Sequence, residues 1–244
     1  MDNEIDGPAL LPKALFVKDI NITQSAANVW AGDIRSQLHV KDDFAFPFRS
    51  IIYETVRNTF FHVAIWMAMF ALLIISVVFS ILFLVKKDMK YDHLSNGFTS
   101  VAIVYGLAGI ATGMIWAKYT WGAYWTSDIK LNMAAVTLLL YLAYWLLRSS
   151  IDDIDNRARL AAMYNIFAFL ALIPLLIIIP RLTDSLHPGN GGNPALGGED
   201  LDNTLRMVFY PAIIGLTLIG TWMANLFTRI QRINSIILER EIDF

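Results

Sequence analysis

The sequence predicts an all-α polytopic membrane protein. Apolar residues make up 56% of its 244 positions and charged residues only 16%, whereas soluble domains have about 45–50% and roughly 25%. Five windows are apolar over about the 20 residues that a helix needs to cross a bilayer. Basic residues gather beside alternate ends of these windows, which is typical of a chain that crosses a membrane repeatedly.

The five windows are taken as five visible transmembrane helices. They run from about Phe60 to Val85, Phe98 to Ala117, Leu131 to Leu147, Leu160 to Ile179 and Met207 to Phe227. The second window contains Gly106, Gly109 and Gly113, and small residues at such spacing usually allow close helix packing. We expect a transmembrane domain over residues 60–230 and a short cytoplasmic tail over residues 231–244.

Basic residues near the window ends predict the orientation. Nine of them are expected on the cytoplasmic side: Lys86, Lys87, Lys90, Arg148, Arg157, Arg159, Arg229, Arg232 and Arg240. The opposite loops hold Lys118, Lys130, Arg181 and Arg206. The loop after the second window and the Gly-rich loop from Arg181 to Arg206 are therefore predicted to face outward.

Residues 1–59 form a polar segment that this orientation places outside the cytoplasm. They contain no apolar run long enough to direct export. Either a sixth, N-terminal span is missing from the sequence, or the first window acts as a reversed signal anchor; we favour the missing span. Alternation of apolar and polar residues, as in Ile34 to Val40, indicates a small β-rich module.

The loop after the second window is unusually rich in aromatic residues. It reads W-G-A-Y-W-T-S-D from Trp121 to Asp128, and Trp116 and Tyr119 come just before it. Aromatic side chains of this kind often form a belt at the membrane interface. The density here also suits a platform for a large flat ligand such as a porphyrin, and both interpretations stay open.

Two histidines are predicted on the same side as this loop. His62 lies at the start of the first window and His187 in the loop after the fourth. Neutral imidazole is a common axial ligand of heme iron, so the pair could form a bis-histidine site; the alternative is one interfacial and one solvated side chain. His39 and His93 are expected to be solvated. There are no cysteines, which excludes thiolate ligands and covalent heme attachment to this chain.

Four segments together resemble a known family. They are W-G-A-Y-W-T-S-D, L-L-L-Y-L-A-Y-W-L-L-R-S-S-I-D-D from Leu138, P-R-L-T-D-S-L-H-P-G-N from Pro180 and F-F-H-V-A-I-W from Phe60. The first resembles the tryptophan-rich "WWD" signature of heme-handling membrane proteins. Their order is similar to that in the C component of the cytochrome c maturation system, also called heme exporter protein C, over about residues 50–235. Ser127 stands where that signature has tryptophan.

The resemblance implies a function and a site. Members of that family hold heme b, non-covalently and transiently, at the outer face of the bacterial cytoplasmic (inner) membrane. His62 and His187 would be the axial ligands. The porphyrin would be cradled by Trp116, Trp121, Gly122, Tyr124, Trp125 and Asp128.

The resemblance also implies partners. Heme would pass to a membrane-anchored heme chaperone, the E component, and an ABC transporter of A and B components would drive release of the loaded chaperone. Membrane lipid surrounds the chain, and the net charge of −2 gives no indication of a nucleic-acid partner. The chain itself would not be an enzyme.

Several roles stay open in the sequence. Lys118, Lys130, Arg181 and Arg206 are candidate partners for heme propionates, or mark span boundaries only. Asp128 either caps the third helix and accepts hydrogen bonds from the loop, or contacts a partner. Movement of the Gly-rich loop is expected to release an axial ligand. Two other functions compete with heme delivery: a component of a System II type cytochrome c synthase, and a subunit of a membrane transporter that does not bind heme.

Overall fold

The computed structural model describes residues 57–187 and 203–242. These all belong to one compact unit, Arg57–Phe244, and all the regular structure among them is helical. Five helices within this part of the chain are long and apolar enough to cross a membrane, which confirms the predicted all-α membrane fold. The expected β-rich module, His39 and the glycine run of the long loop lie outside the described residues.

The helices follow the predicted order with different limits. A π-helical turn, Thr59–Val63, leads into α1 (Ala64–Lys86). Next come α2 (Met89–Trp121) and α3 (Ile129–Ser149). Helix α4 (Ile154–Ile173) continues through a second π-helical segment, Pro174–Ile178, into the short α5 (Ile179–Leu182). The last helix is α6 (Asn203–Ile242).

Two helices extend well beyond the predicted windows: α6 continues to Ile242, through most of the expected tail, and α2 starts before Phe98. Helix α2 begins at Met89, capped by the Asp88 side chain, which accepts a hydrogen bond from the Lys90 N–H at 3.0 Å. Its first turns carry Asp92, Ser95 and Asn96, and all three are buried. A hydropathy window ends at such residues because it scores them as solvated, whereas here they are covered by neighbouring helices.

The π-helical segment in α4 has an identifiable cause. Pro174 has no N–H to donate to the preceding turn, and its ring crowds the carbonyl four residues earlier. The helix widens instead of ending, which is a common outcome at functional positions. Leu176 of this segment and Pro180 of α5 line the cavity described below.

The core of the bundle lies between α1, α2 and α4, with α6 against the first two. Small residues permit the close approach. A Cβ atom added at Gly97 would meet the Ala224 carbonyl oxygen at 2.8 Å, and one at Gly220 would meet a Leu72 methyl at 2.7 Å. Because successive spans alternate in direction, the start of α1, the end of α2 and the start of α3 meet at one end of the bundle.

Candidate functional site

A partly open cavity of about 240 Å³ lies at the end of the bundle that contains His62 and His187, here called the histidine end. Both histidines line it, although they are far apart in sequence. Its walls include Trp66, Phe70, Ile110, Met114, Trp125, Lys130, Leu131 and Pro180. Most of these side chains are apolar, and a few polar groups among an apolar lining is the usual composition of a ligand pocket.

His62 lies in the π-helical turn that precedes α1 and faces α2. Its Nδ1 is 2.9 Å from the carbonyl oxygen of Gly109 and 3.1 Å from the hydroxyl of Thr112. A carbonyl oxygen only accepts, so Nδ1 carries the proton when it bonds to Gly109. The lone pair of the neutral ring is then on Nε2.

Gly113 allows the His62 ring to approach α2. A Cβ atom added at this position would come within 2.7 Å of His62 Cε1, well inside van der Waals contact. The ring of Trp66 lies edge-on to the imidazole, with 6.3 Å between ring centroids. These neighbours confine the imidazole between the surfaces of α1 and α2.

His187 is held by the carboxylate of Asp128. The Nδ1 atom of His187 lies 2.9 Å from Asp128 Oδ1, and its backbone N–H donates to the Ser185 hydroxyl at 3.1 Å. Burial lowers the pKa of His187, although the Asp128 carboxylate acts in the opposite direction. Burial therefore favours the neutral ring, in which the proton on Nδ1 faces the carboxylate and the lone pair is on Nε2.

Asp128 is a buried acceptor that organises the loop ends. Its carboxylate caps α3 by accepting from the N–H groups of Lys130 and Leu131 at 2.9 and 3.4 Å. It also accepts from the Ser185 hydroxyl at 2.8 Å and the Leu186 N–H at 2.6 Å. Burial alone would raise the pKa of Asp128, but the Ser185 and Leu186 hydrogen bonds and the nearby His187 outweigh burial and hold the pKa below its usual value.

Two tryptophans pack on His187 rather than facing the cavity. The ring centroids of Trp116 and Trp121 lie 5.5 and 4.8 Å from that of His187, and 4.9 Å from each other. Trp116 is buried. These two rings and the Asp128 carboxylate together fix the orientation of the His187 ring.

The remaining residues of the predicted site occupy different positions. Trp125 lines the cavity, and its Nε1–H donates to Asn132 Oδ1 at 3.3 Å. Gly122 ends α2 with a left-handed φ of 80°, and its carbonyl accepts from Lys118 Nζ at 2.9 Å. Tyr124 is exposed, with Lys118 Nζ 5.6 Å from its ring centroid. Gly122 and Tyr124 thus lie beside the cavity and shape the loop.

Sequence reasoning missed several residues of the cavity. Gly109 and Thr112 hold His62, and Gly113 makes room for it. The spacing of Gly106, Gly109 and Gly113 by itself predicts only close helix packing. The sequence does not show that His62 contacts the G-x-x-T-G stretch of the next span. That contact depends on how the two helices are rotated relative to each other.

A family model of heme exporter protein C (CcmC) matches residues 44–243. The chain belongs to this family.

Individual members of the family and related proteins are similar over shorter stretches. Heme exporter protein C of Bradyrhizobium diazoefficiens is 26% identical over 170 residues, 68% of this chain and 62% of that protein. The Haemophilus influenzae protein of the same name is 25% identical over 128 residues, 52% of this chain and 50% of its own length. The cytochrome c biogenesis protein CcsA of Chlamydomonas reinhardtii is 35% identical over 96 residues, 34% of this chain and 27% of that protein. The chain thus covers less than two thirds of each of these relatives.

Proposed function

We propose that this CcmC-family membrane protein binds heme b at the histidine end and passes it to another protein during c-type cytochrome biogenesis. The observation that carries the proposal is that two imidazoles line one cavity and are hydrogen-bonded in the same way. Each has its Nδ1 bonded to an acceptor, the Gly109 carbonyl for His62 and the Asp128 carboxylate for His187. Each therefore keeps an Nε2 lone pair for a metal.

This arrangement is the one that metal-binding histidines adopt. Such a residue almost always donates its second ring N–H to a carboxylate or a backbone carbonyl, which fixes the tautomer and the ring orientation. Bis-imidazole ligation is well suited to heme iron, whose porphyrin supplies the other four donors. His62 and His187 would be the axial ligands, and Trp125 would contact the porphyrin.

The two propionate groups of heme are negatively charged and require a cationic partner. Of the four candidates from the sequence, Lys130 lines the cavity. Lys118 instead bonds to the Gly122 carbonyl, and Arg206 Nη1 lies 3.4 Å from Asn203 Oδ1. Arg181 is exposed. Lys130 is thus the best-placed group to receive a propionate.

The protein would act as a carrier rather than as an enzyme. A cavity that is partly open suits a cargo that must leave again. The heme would pass to a membrane-anchored chaperone, the E component, with A and B components of an ABC transporter acting afterwards. The histidine end would face outward from a bacterial cytoplasmic membrane, since the predicted cytoplasmic lysines and arginines flank the other helix ends.

An absorption spectrum tests heme binding. The purified chain, reconstituted with heme in detergent, should show a Soret band and the visible bands of low-spin, six-coordinate iron. His62→Ala and His187→Ala should each lose the low-spin bands. His93→Ala is the matched control, because His93 lies in the first turns of α2 at the opposite end of the bundle. A spectrum of free heme in every version would refute the proposal.

A second candidate function rests on the similarity to CcsA. The C. reinhardtii protein is 35% identical over 96 residues, and a System II type synthase would attach heme covalently to an apocytochrome. The two functions differ in product. Incubation with heme and a chaperone should yield loaded chaperone, while incubation with an apocytochrome should yield no thioether bonds. Thioether formation by the chain alone would favour the second function.

A further inference from the structure

The two histidines are held with unequal strength, and this inequality carries an inference that rests on the proposed function. His187 bonds to a carboxylate and His62 to a neutral carbonyl. A carboxylate partner draws the Nδ1 proton toward itself and makes Nε2 a stronger donor to a metal. A peptide carbonyl has this effect to a smaller degree because it carries no net charge.

The anchor of His187 is also firmer. Asp128 takes hydrogen bonds from Ser185 and Leu186 as well as from the imidazole, so the backbone before His187 is tied to the start of α3. Trp116 and Trp121 pack against its ring. Rotation of this imidazole away from the cavity would require breaking several of these contacts together.

The anchor of His62 consists of uncharged groups. Its Nδ1 lies 2.9 Å from the Gly109 carbonyl oxygen and 3.1 Å from the Thr112 hydroxyl, so its N–H is shared between two neutral partners. The Thr112 hydroxyl itself lies 2.9 and 3.0 Å from the carbonyl oxygens of Ala108 and Gly109. The ring belongs to the π-helical turn Thr59–Val63, and no carboxylate bonds to it among the described residues.

We propose that His187 is the retaining ligand of the heme iron and that His62 is the ligand that leaves first. Thr112 is then a positioning residue, whose hydroxyl gives His62 Nδ1 a second, uncharged partner. On departure, the bond between iron and His62 Nε2 breaks and its electron pair stays on the nitrogen. An incoming ligand fills the vacant axial position with its own electron pair, and the oxidation state of the iron does not change.

Departure of His62 differs from the release of an axial ligand by movement of the Gly-rich loop. The loop begins with the residues that Asp128 holds, so the histidine at its start is the better anchored of the two. His62, which has only uncharged partners among the described residues, lies in the turn before α1. Heme would therefore remain attached to the α3 side of the cavity while its α1 side opens toward the acceptor.

Carbon monoxide tests the order of release in the reduced, heme-loaded full-length protein. CO replaces whichever imidazole leaves, and the retained imidazole sits opposite it. The rate of CO binding reports on the leaving ligand, whereas the iron–carbon stretching frequency in the resonance Raman spectrum reports on the retained one. Asp128→Asn removes the charge but keeps a good helix cap, and Thr112→Val removes a hydroxyl at constant shape.

The two variants should affect different measurements. Asp128→Asn should shift the iron–carbon frequency, leave the CO rate near that of wild type and lower heme affinity by about 10- to 100-fold. Thr112→Val should change the CO rate several-fold and leave the iron–carbon frequency unchanged. The reverse pattern, or no change in either variant, would overturn the inference while leaving bis-histidine binding intact.

A second pair of variants covers the case in which Asp128→Asn does not fold. His62→Gly should retain a five-coordinate, high-spin heme that returns to low spin on addition of imidazole. His187→Gly should retain heme only when imidazole is supplied. Retention by His187→Gly and loss by His62→Gly would assign the roles the other way. If the wild-type chain itself binds no heme, the proposed function fails and not merely the order of release.

Discussion

The two ends of the helical bundle treat buried polar groups in opposite ways. At the end away from the histidines, Arg148 meets Asp92 through two parallel hydrogen bonds of 2.7 and 2.9 Å, and this end is called the ion-pair end. The Tyr144 hydroxyl donates to Asn96 beside the pair. Nearer the middle, the Asn165 amide donates to the hydroxyls of Ser76 and Ser80 at 2.6 and 2.9 Å.

Polar groups expected to stabilise the fold and polar groups proposed to bind a ligand thus lie at opposite ends of the bundle. The Arg148–Asp92 pair joins α2 to α3, and the Asn165 amide joins α4 to α1. At the histidine end, each imidazole is bonded through Nδ1, and its Nε2 has no hydrogen bond to the part of the chain that the structure describes. Substitutions at the first end should therefore affect folding, and those at the second should affect heme.

The largest effect is expected from breaking the ion pair. Arg148→Met leaves the Asp92 carboxylate buried without its partner, which should destabilise the folded state by about 3–5 kcal/mol. Thermal unfolding in detergent would measure the loss. The double variant Asp92→Leu/Arg148→Met should recover most of it, because no uncompensated charge remains. An equally unstable double variant would contradict this account.

Gly113→Ala should have the next largest effect, and at the other end. The new methyl group would meet His62 Cε1 at 2.7 Å, so the ring must shift, and overpacking of this kind costs about 1–3 kcal/mol. We expect a weakened heme affinity in titrations. Gly220→Ala is the matched control, since its methyl meets Leu72 at the same distance but away from the cavity. Equal heme affinities in the two variants would refute the site geometry.

Asn165→Leu tests whether polar contacts in the middle of the bundle affect stability without affecting heme binding. The substitution removes the donor shared by Ser76 and Ser80 while keeping a similar volume. Polar contacts between membrane helices contribute about 0.6 kcal/mol on average and at most about 1.7, so the expected loss of unfolding free energy lies in this range. The heme spectrum should not change. A displaced Soret band would show that the two ends are coupled.

The smallest effect is expected from Trp125→Phe. It keeps a smaller aromatic ring in the cavity wall and removes the exposed hydrogen bond to Asn132 at 3.3 Å, whose loss costs about 1 kcal/mol or less. Trp125→Ala removes the ring as well and should lower heme affinity further. If both variants bind heme as tightly as the wild type, the ring makes no contact with the porphyrin.

Much of the fold could be predicted from the sequence, because membrane helices are recognised by long apolar runs. The alternation of spans also predicted that His62 and His187 would share one end. The ion pair could not be predicted, since Asp92 lies in a stretch that resembles a polar loop and Arg148 resembles a boundary residue. The packing of α2 against α3 brings the two side chains together as an ion pair.

The aromatic loop shows a second limit of sequence reasoning. Composition left an interfacial belt and a platform of several rings both open, because the direction of each ring depends on the turn at Gly122, with its φ of 80°. Trp125 faces the cavity, Trp116 and Trp121 pack behind His187, and Tyr124 is exposed. A count of aromatic residues cannot distinguish these three positions.

Asp128 has a consequence for genetics. Its two oxygen atoms serve five donors: Lys130 N, Leu131 N, Ser185 Oγ, Leu186 N and His187 Nδ1. One missense change there would alter protein abundance, loop placement and cargo retention at once. Loss-of-function alleles at this codon would therefore not reveal which property a cell had lost, whereas an allele at Thr112 would report on the position of His62 alone.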